Sequence, residues 1–138
     1  MPTTAEVLRS VPLFEGMTDG AIATIAGVAE ELEYPEGAEL TRQGYPGESF
    51  IVIVTGRALV EVDGHRVREL GAGEYLGEIS LVDGGPRTAT VSAIESIQAL
   101  VLPRVAFERL IDEFPIVRMD VLAALTRRIR ERAPALSD

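Results

Sequence analysis

The sequence predicts an α+β domain in which an antiparallel β-roll, of the double-stranded β-helix or jelly-roll type, carries helices at both ends. Glycine-rich turn signals recur about every 8–12 residues through the middle of the chain, a spacing typical of sandwiches and barrels. Valine and isoleucine dominate between those turns, whereas helical spacing of apolar residues is confined to the ends. With 138 residues, the chain is long enough for one domain with its own core and too short for two.

The N-terminal part, residues 1–33, is predicted to be helical. Thr18 and Asp19 form a favourable capping position, and apolar residues follow them at helical spacing. That apolar stripe consists of Ile22, Ile25, Ala26, Ala29 and Leu32, and the acidic residues that it leaves outward are Glu30, Glu31 and Glu33.

Residues 34–103 are predicted to form the β-roll. The turn signals are PEG, QGYPGE, TG, VDG, GAG and DGGP, and the runs between them are AELTRQ, SFIVIV, ALVEV, RVREL and TATVSAIESIQALVL. These runs are rich in β-branched residues and are bounded by turn residues, as strands are. They predict a compact antiparallel structure of two packed sheets.

Helical spacing returns in residues 104–133. Two apolar stripes are separated by Pro115, which ends or bends the first helix. The first stripe consists of Phe107, Leu110, Ile111 and Phe114, and the second of Ile116, Met119, Leu122, Ala123, Leu125 and Ile129. The second helix ends in TRRIRER, where arginines suit the helix dipole. The tail, residues 134–138, is predicted to fray.

Composition excludes several kinds of site. The chain has no cysteine, which excludes disulfides, thiolate metal sites and cysteine nucleophiles. Its one histidine, His65, follows a predicted Asp63-Gly64 hairpin turn, and an exposed turn is a poor position for a catalytic base. We therefore expect no enzymatic activity, no metal site and no cofactor.

The charge balance and the apolar runs bear on partners and location. A net charge of −9 argues against direct nucleic acid binding, because phosphate affinity depends largely on many basic contacts. The apolar runs are too short to span a bilayer, and the N-terminus lacks a signal-peptide pattern. We expect a cytoplasmic protein without membrane insertion.

The stretch GEISLVDGGPRTATV, residues 77–91, interrupts the strand pattern with chemistry that suits an anion. A helical turn over residues 78–81 would present backbone N–H groups, and a GGP turn can direct Arg87 to the same place. One guanidinium with a few amides matches about one phosphate charge, and Glu78 would then accept from a sugar hydroxyl. The alternative is a plain hairpin with an Arg87–Glu78 surface ion pair.

The segment GEYLGEISL at residues 73–81, with PRTATV at residues 86–91, resembles the phosphate-binding cassette of cyclic nucleotide-binding domains. VPLF near the start, PEGAELTRQGYPGESFIVIVTGRALV in the early strands and LIDEFP after the roll resemble the same family. The similarity covers nearly the whole chain in order and at family-like spacing. It implies a single domain over residues 1–138 with its cassette at residues 73–91.

The resemblance implies cAMP or cGMP as the ligand, with cAMP favoured. Glu78 would bind the ribose 2′-hydroxyl and Arg87 the cyclic phosphate. The other cassette positions are Gly77, whose carbonyl would lie near the ribose, Ile79, and Ser80 and Thr88, whose N–H groups would hold phosphate oxygens. The Thr88 hydroxyl can also reach a guanine amino group, which leaves both nucleotides open. Val60 matches a position that packs on the purine, with a plain core role as the alternative.

Members of this family commonly close a C-terminal helix over the base. By resemblance Arg128 is the lid residue, with Ile129 and Arg132 as neighbours, and ordinary helix termination is the alternative for this basic cluster. The implied function is a non-catalytic sensor or regulatory domain whose C-terminal helices rearrange on binding. The alternatives are a protein-interaction module of this fold without a physiological nucleotide, and the sensor fragment of a larger transcription regulator or channel. Effector and oligomeric state stay open.

Overall fold

The structure is a computed structural model that describes residues 3–11, 14, 17–47, 49–76, 86–115, 118, 119, 122, 123 and 126. Within these residues, eight strands form two four-stranded antiparallel sheets, and helices pack on the outer face of the first sheet. The arrangement confirms the predicted antiparallel β-roll with helices before and after it.

Among the described residues, the elements with defined bounds follow the order helix, helix, eight strands and helix, and residues 115, 118, 119, 122, 123 and 126 after them are also helical. The helices are α1 (Thr4–Arg9), α2 (Asp19–Val28) and α3 (Arg104–Glu113). The strands are β1 (Glu30–Tyr34), β2 (Glu39–Thr41), β3 (Ser49–Thr55), β4 (Ala58–Val62), β5 (His65–Leu70), β6 (Tyr75–Leu76), β7 (Thr90–Ala93) and β8 (Ile97–Pro103). The first sheet has the order β1-β8-β3-β6 and the second β2-β7-β4-β5.

Side-chain caps fix the N-terminal helix boundaries. The hydroxyl of Thr18 accepts a hydrogen bond from the backbone N–H of Ala21, which confirms the predicted cap of α2. Helix α3 ends as predicted before Pro115, since Phe114 has an extended backbone that a following proline favours. Over the described residues, none of the helices has both the length and the apolar character needed to cross a bilayer.

The N-terminal helical part is shorter than the sequence predicts. Helix α2 ends at Val28, Ala29 adopts an extended backbone, and residues 30–34 form strand β1 instead of a last helical turn. Leu32 continues the helical spacing only by coincidence, because it lies opposite Ala99 in the β1–β8 ladder. The acidic residues on either side of it are exposed on a strand at the edge of the sheet. Pairing with β8 therefore overrides the helical pattern here.

Two apolar cores stabilise the domain. The first lies between the helices and the outer face of the first sheet, where Leu8, Ile22 and Leu110 meet Phe50 and Leu100. The second fills the space between the two sheets and consists of Ile51, Ile53, Ala58, Val60, Leu70, Leu76, Val91, Ala93, Ile97, Ala99 and Val101. Alternate residues of β3 and β8 contribute to opposite cores, as the period of a strand requires.

The β4–β5 hairpin closes at the predicted Asp63-Gly64 turn. Both residues have positive φ, 54° for Asp63 and 80° for Gly64, which is the geometry of a two-residue hairpin turn. The side chain of Gln43 accepts from the backbone N–H of Asp63 and donates to its carboxylate, both at 2.8 Å. This pair of bonds ties the hairpin to the loop between β2 and β3. His65 is exposed beside the turn, as expected.

The turn between β3 and β4 depends on a glycine. Gly56 has φ of +94°, a left-handed conformation, and a Cβ at this position would overlap the carbonyl oxygen of Ser96. Gly71, in the loop between β5 and β6, has no heavy atom within 4 Å of a Cβ and no positive φ.

We therefore expect Gly56→Ala to lower the free energy of unfolding by about 1–3 kcal/mol, through backbone strain and the overlap with Ser96. Gly71→Ala is the matched control and should change stability by less than about 1 kcal/mol. Urea denaturation followed by circular dichroism measures both. Equal stabilities for the two variants would contradict the assigned turn geometry.

Candidate functional site

Arg87 is a buried charge in the described part of the fold. Its side chain is 8% exposed, and the only other buried polar residue among the described ones is Thr41. Burying a guanidinium costs free energy unless hydrogen bonds or opposite charges compensate it. The surroundings of Arg87 therefore decide what this position can do.

The backbone at Arg87 is fixed by the loop between β2 and β3. Its N–H donates to the carbonyl oxygen of Tyr45 at 2.8 Å, and its own carbonyl accepts from the N–H of Gly44 at 2.9 Å. Pro46 and Pro86 form an antiparallel bridge beside these bonds. The segment QGYPG is thus paired with the segment that carries Arg87.

The guanidinium lies against the start of β3. Its Nη2 atom donates to the carbonyl oxygen of Ser49 at 2.8 Å and lies 3.4 Å from the Ser49 hydroxyl. Gly47 is buried under the side chain, and a Cβ there would lie 2.7 Å from Nε and 2.9 Å from Cδ and Cζ of Arg87. Only glycine leaves room for the arginine in this position.

Two threonine side chains add hydrogen bonds between the segment that precedes the Arg87-binding loop and the segment that follows Arg87. The Thr90 hydroxyl accepts from the backbone N–H of Gln43 at 3.0 Å. The Thr41 hydroxyl donates to the carbonyl oxygen of Ala89, also at 3.0 Å. These bonds join β2 and β7 on the side of the loop that holds Arg87.

The pKa of Tyr34, at the end of β1, is affected both by burial and by the charge of Arg87. Its ring is half-buried, and burial raises the pKa of its hydroxyl, while the positive charge of Arg87 acts in the opposite direction and lowers that pKa. The effect of burial is the larger one, so the pKa of Tyr34 is raised and its hydroxyl stays neutral at physiological pH.

The predicted site residues fall into two groups. Arg87 is buried, Thr88 beside it is half-buried, and Val60 lies on β4 opposite Val91, 8% exposed in the core between the sheets. The other predicted contacts lie outside the described residues, and they are Gly77, Glu78, Ile79, Ser80 and the lid positions Arg128, Ile129 and Arg132.

Sequence reasoning did not assign roles to Gly47 and Ser49, although both lie in the quoted QGYPGES segment. Their role follows from contacts with Arg87, a residue far along the chain. The one available signal was the paired glycines around a proline, which predict a turn but not what the turn holds.

The comparisons with known proteins agree with this arrangement. The model of the cyclic nucleotide-binding domain family matches residues 31–114, more than half of the chain. A cyclic nucleotide-gated potassium channel from Rhizobium etli is 36% identical over 124 residues, which cover 89% of this chain and 35% of the channel. A cyclic AMP receptor protein from Thermus thermophilus is 30% identical over 129 residues, covering 90% of this chain and 60% of the receptor.

Solved structures give the same result. The regulatory domain of Toxoplasma gondii PKA, solved with cAMP, superimposes with a TM-score of 0.80 at 27% identity, over 91% of this chain and 49% of that one. The chain thus spans only part of the length of these relatives. Because the family model covers most of the roll and the cassette arginine is held inside it, the chain belongs to the cyclic nucleotide-binding domain family.

Proposed function

We propose that this chain is a non-catalytic sensor that binds a cyclic nucleotide, cAMP in preference to cGMP, with Arg87 holding the cyclic phosphate. The observation that carries the proposal is the buried guanidinium of Arg87, oriented by Gly47 and by the Ser49 carbonyl. A guanidinium that is already fixed and partly desolvated loses little free energy to reorganisation on binding, and it makes strong charge-assisted hydrogen bonds to phosphate.

A single buried arginine suits a phosphodiester that carries one negative charge. With a net charge of −9, the chain has no general attraction for anions, so affinity must come from local donors. We infer that the N–H groups of Ser80 and Thr88 add to Arg87, with Gly77 and Ile79 shaping the cassette. Glu78 takes the ribose 2′-hydroxyl, since a carboxylate accepts from a sugar and repels a phosphate.

The base is proposed to lie over Val60. This side chain shares the core between the sheets, and its 8% exposure leaves a small apolar surface for a purine. The Thermus relative is named a cyclic AMP receptor protein and the Toxoplasma regulatory domain was solved with cAMP, which supports the preference for adenine. Arg128 is the proposed lid residue over the far side of the base.

The contacts of Ser49 suggest how ligand reaches the C-terminal helices. Ser49 accepts from Arg87 and lies opposite Pro103, the residue that precedes α3. Helix α3 packs against β3 and β8. We infer that phosphate capture by Arg87 changes its bond to Ser49 and so favours another position of α3 and of the segment after it. Ligand shifts this equilibrium only by its differential affinity for the two positions.

Isothermal titration of the nucleotide-free protein with cAMP, cGMP and 5′-AMP tests the proposal, with Arg87→Ala as its key variant. We expect cAMP to bind with micromolar or tighter affinity, cGMP to bind more weakly, and AMP to bind much more weakly than either. Arg87→Ala should lose about 2–5 kcal/mol of binding free energy, because it removes a buried charged partner. Arg109→Ala, at an exposed arginine of α3, is the control and should bind as the parent does.

Thermal unfolding without nucleotide must show that Arg87→Ala is folded, and Arg87→Lys provides a second variant that keeps the charge. Unchanged affinity in a folded Arg87→Ala would sink the assignment of the phosphate site. Absence of heat and of any thermal shift with both cyclic nucleotides would instead favour the interaction-module alternative.

Glu78→Ala should cost about 1–3 kcal/mol of cAMP affinity, the value of a hydrogen bond to a charged group. If Glu78 binds the ribose, Glu78→Ala should also reduce the difference in affinity between cAMP and 2′-deoxy-cAMP, because the variant can no longer recognise the 2′-hydroxyl. Competition binding with the two nucleotides measures that difference, and Glu113→Gln on α3 is a control. A difference that survives in Glu78→Ala would remove Glu78 from the ribose.

Gly47→Ala should weaken cAMP binding by about tenfold or more, since its Cβ displaces the guanidinium from Ser49. Gly20→Ala, in α2, has open space around its Cβ and should bind normally. A double-mutant cycle with Arg87→Lys provides the decisive reading. The two changes should be strongly non-additive, because both act on the same guanidinium. Additive losses would show that Gly47 affects binding through general destabilisation only.

A further inference from the structure

A second concave site lies on the outer face of the first sheet, beside α1. It is a groove of about 360 Å³ where the ends of β1, β8 and β3 meet the helix. Its lining residues are Val7, Glu31, Leu32, Glu33, Val54, Thr55, Gln98, Ala99 and Leu100. A volume at the lower end of the range for ligand pockets fits a few side chains.

The floor of this groove belongs to the core between helices and sheet. Val7 and Val54 pack against that core but remain partly exposed, and Leu100 is 2% exposed beneath them. Leu32 lies opposite Ala99 of the second core, so its side chain is on the other face of β1 and only Glu31 and Glu33 face the groove from this strand. Helix α1 has six residues, and its Val7 forms one wall of the groove.

Two carboxylates border the groove on β1. Glu31 accepts from the Thr4 hydroxyl at 3.0 Å, and Glu33 accepts from the Ser96 hydroxyl at 3.3 Å. These partners are neutral, and among the described residues neither carboxylate makes an ion pair. Arg57, which lies in the β3–β4 turn, is already paired with Glu69 and Glu95. Within the part of the chain that the structure describes, no cation therefore balances the negative charge at this rim.

The groove is separate from the proposed nucleotide site. Arg87 contacts Ser49 at the start of β3, whereas the groove includes Thr55 at the end of the same strand. Six residues of strand correspond to about 20 Å. A carboxylate rim also repels the phosphate of a nucleotide, so this site calls for a ligand of opposite charge.

We propose that this groove docks a basic amphipathic helical segment of a partner protein. Aliphatic side chains of that segment would cover the exposed parts of Val7 and Val54, while Arg or Lys residues would pair with Glu31 and Glu33. Glu31 and Glu33 occupy positions two residues apart on one face of β1, a backbone spacing of about 7 Å that is close to the separation of positions one helical turn apart. Apolar anchors with a charged rim are the usual pattern of helix-in-groove recognition.

The probe is a fluorescein-labelled helical peptide of about 14 residues, with two arginines four positions apart on either side of a leucine pair. A scrambled peptide of the same composition is its control. Fluorescence anisotropy gives the affinity, and ¹⁵N chemical-shift mapping on the full chain locates binding. We expect saturable binding, with shifts centred on Val7, Thr55 and Gln98, and at least about tenfold weaker binding of the scrambled peptide.

Matched charge variants separate docking from general attraction. Glu31→Gln/Glu33→Gln should weaken the peptide about tenfold, whereas Asp112→Asn/Glu113→Gln, on exposed positions of α3, removes the same charge and should change affinity less than about twofold. Titration with cAMP should be the same in both double variants. If the unmodified chain does not bind cAMP, the nucleotide proposal is wrong, but the proposal that the groove docks a helix is unaffected.

Several outcomes would overturn the proposal. They are equal effects of the two double variants, equal binding of the scrambled peptide, or no saturable binding. Sedimentation that shows a dimer of this chain, broken by Glu31→Gln/Glu33→Gln, would identify a second copy as the occupant. Shift changes from spermine that match those from the peptide would assign the groove to a small cation.

Discussion

The burial of one guanidinium is the constraint on which most of the site depends. Arg87 lies inside the domain at 8% exposure, where an uncompensated charge would cost several kcal/mol. Its backbone is paired with the QGYPG loop, and its side chain reaches Ser49 across a position that only glycine can occupy. The loop and the arginine therefore stabilise one another, although they lie far apart in the sequence.

The same loop also joins elements of both sheets. Gln43 bonds the Asp63 turn of the β4–β5 hairpin through its side chain and Thr90 of β7 through its backbone. Pro46 pairs with Pro86, and Ser49 begins the strand that packs under α3. Through this loop, Arg87 is thus connected to the hairpin, to both sheets and to the strand beneath α3.

Local signals in the sequence predicted the parts of the fold that depend on local geometry. Asp63-Gly64 predicted a hairpin because few residues tolerate two positive φ angles, and Thr18 predicted a cap because its hydroxyl satisfies a free N–H. Residues 30–33 were predicted to be helical, and here the pairing of β1 with β8 decided the structure. Periodicity cannot detect a partner strand that lies near the other end of the chain.

The site divides in the same way. Arg87 and Thr88 were recognised from their motif, whereas Gly47 and Ser49 were recognised as functional only through contacts made in three dimensions. The spacing of glycines predicts that a turn is present. It does not predict which distant side chain packs into the space that the absent Cβ leaves. Sequence reasoning therefore identified Arg87, the proposed phosphate ligand, and missed the residues that hold its side chain in position.

The strand order has a consequence for how the chain acquires its structure. Leu32 pairs with Ala99, and each sheet alternates strands from distant parts of the chain, so most contacts are non-local. Such topologies fold slowly, because long loops must close before any pairing is rewarded. During synthesis on a ribosome, β1 has no partner strand and β3 can pair only with β6 until β8, which ends at residue 103, has emerged. Unpaired apolar strands therefore accumulate in the nascent chain until β8 and α3 are made. Chaperone binding or aggregation is most favoured just before that point.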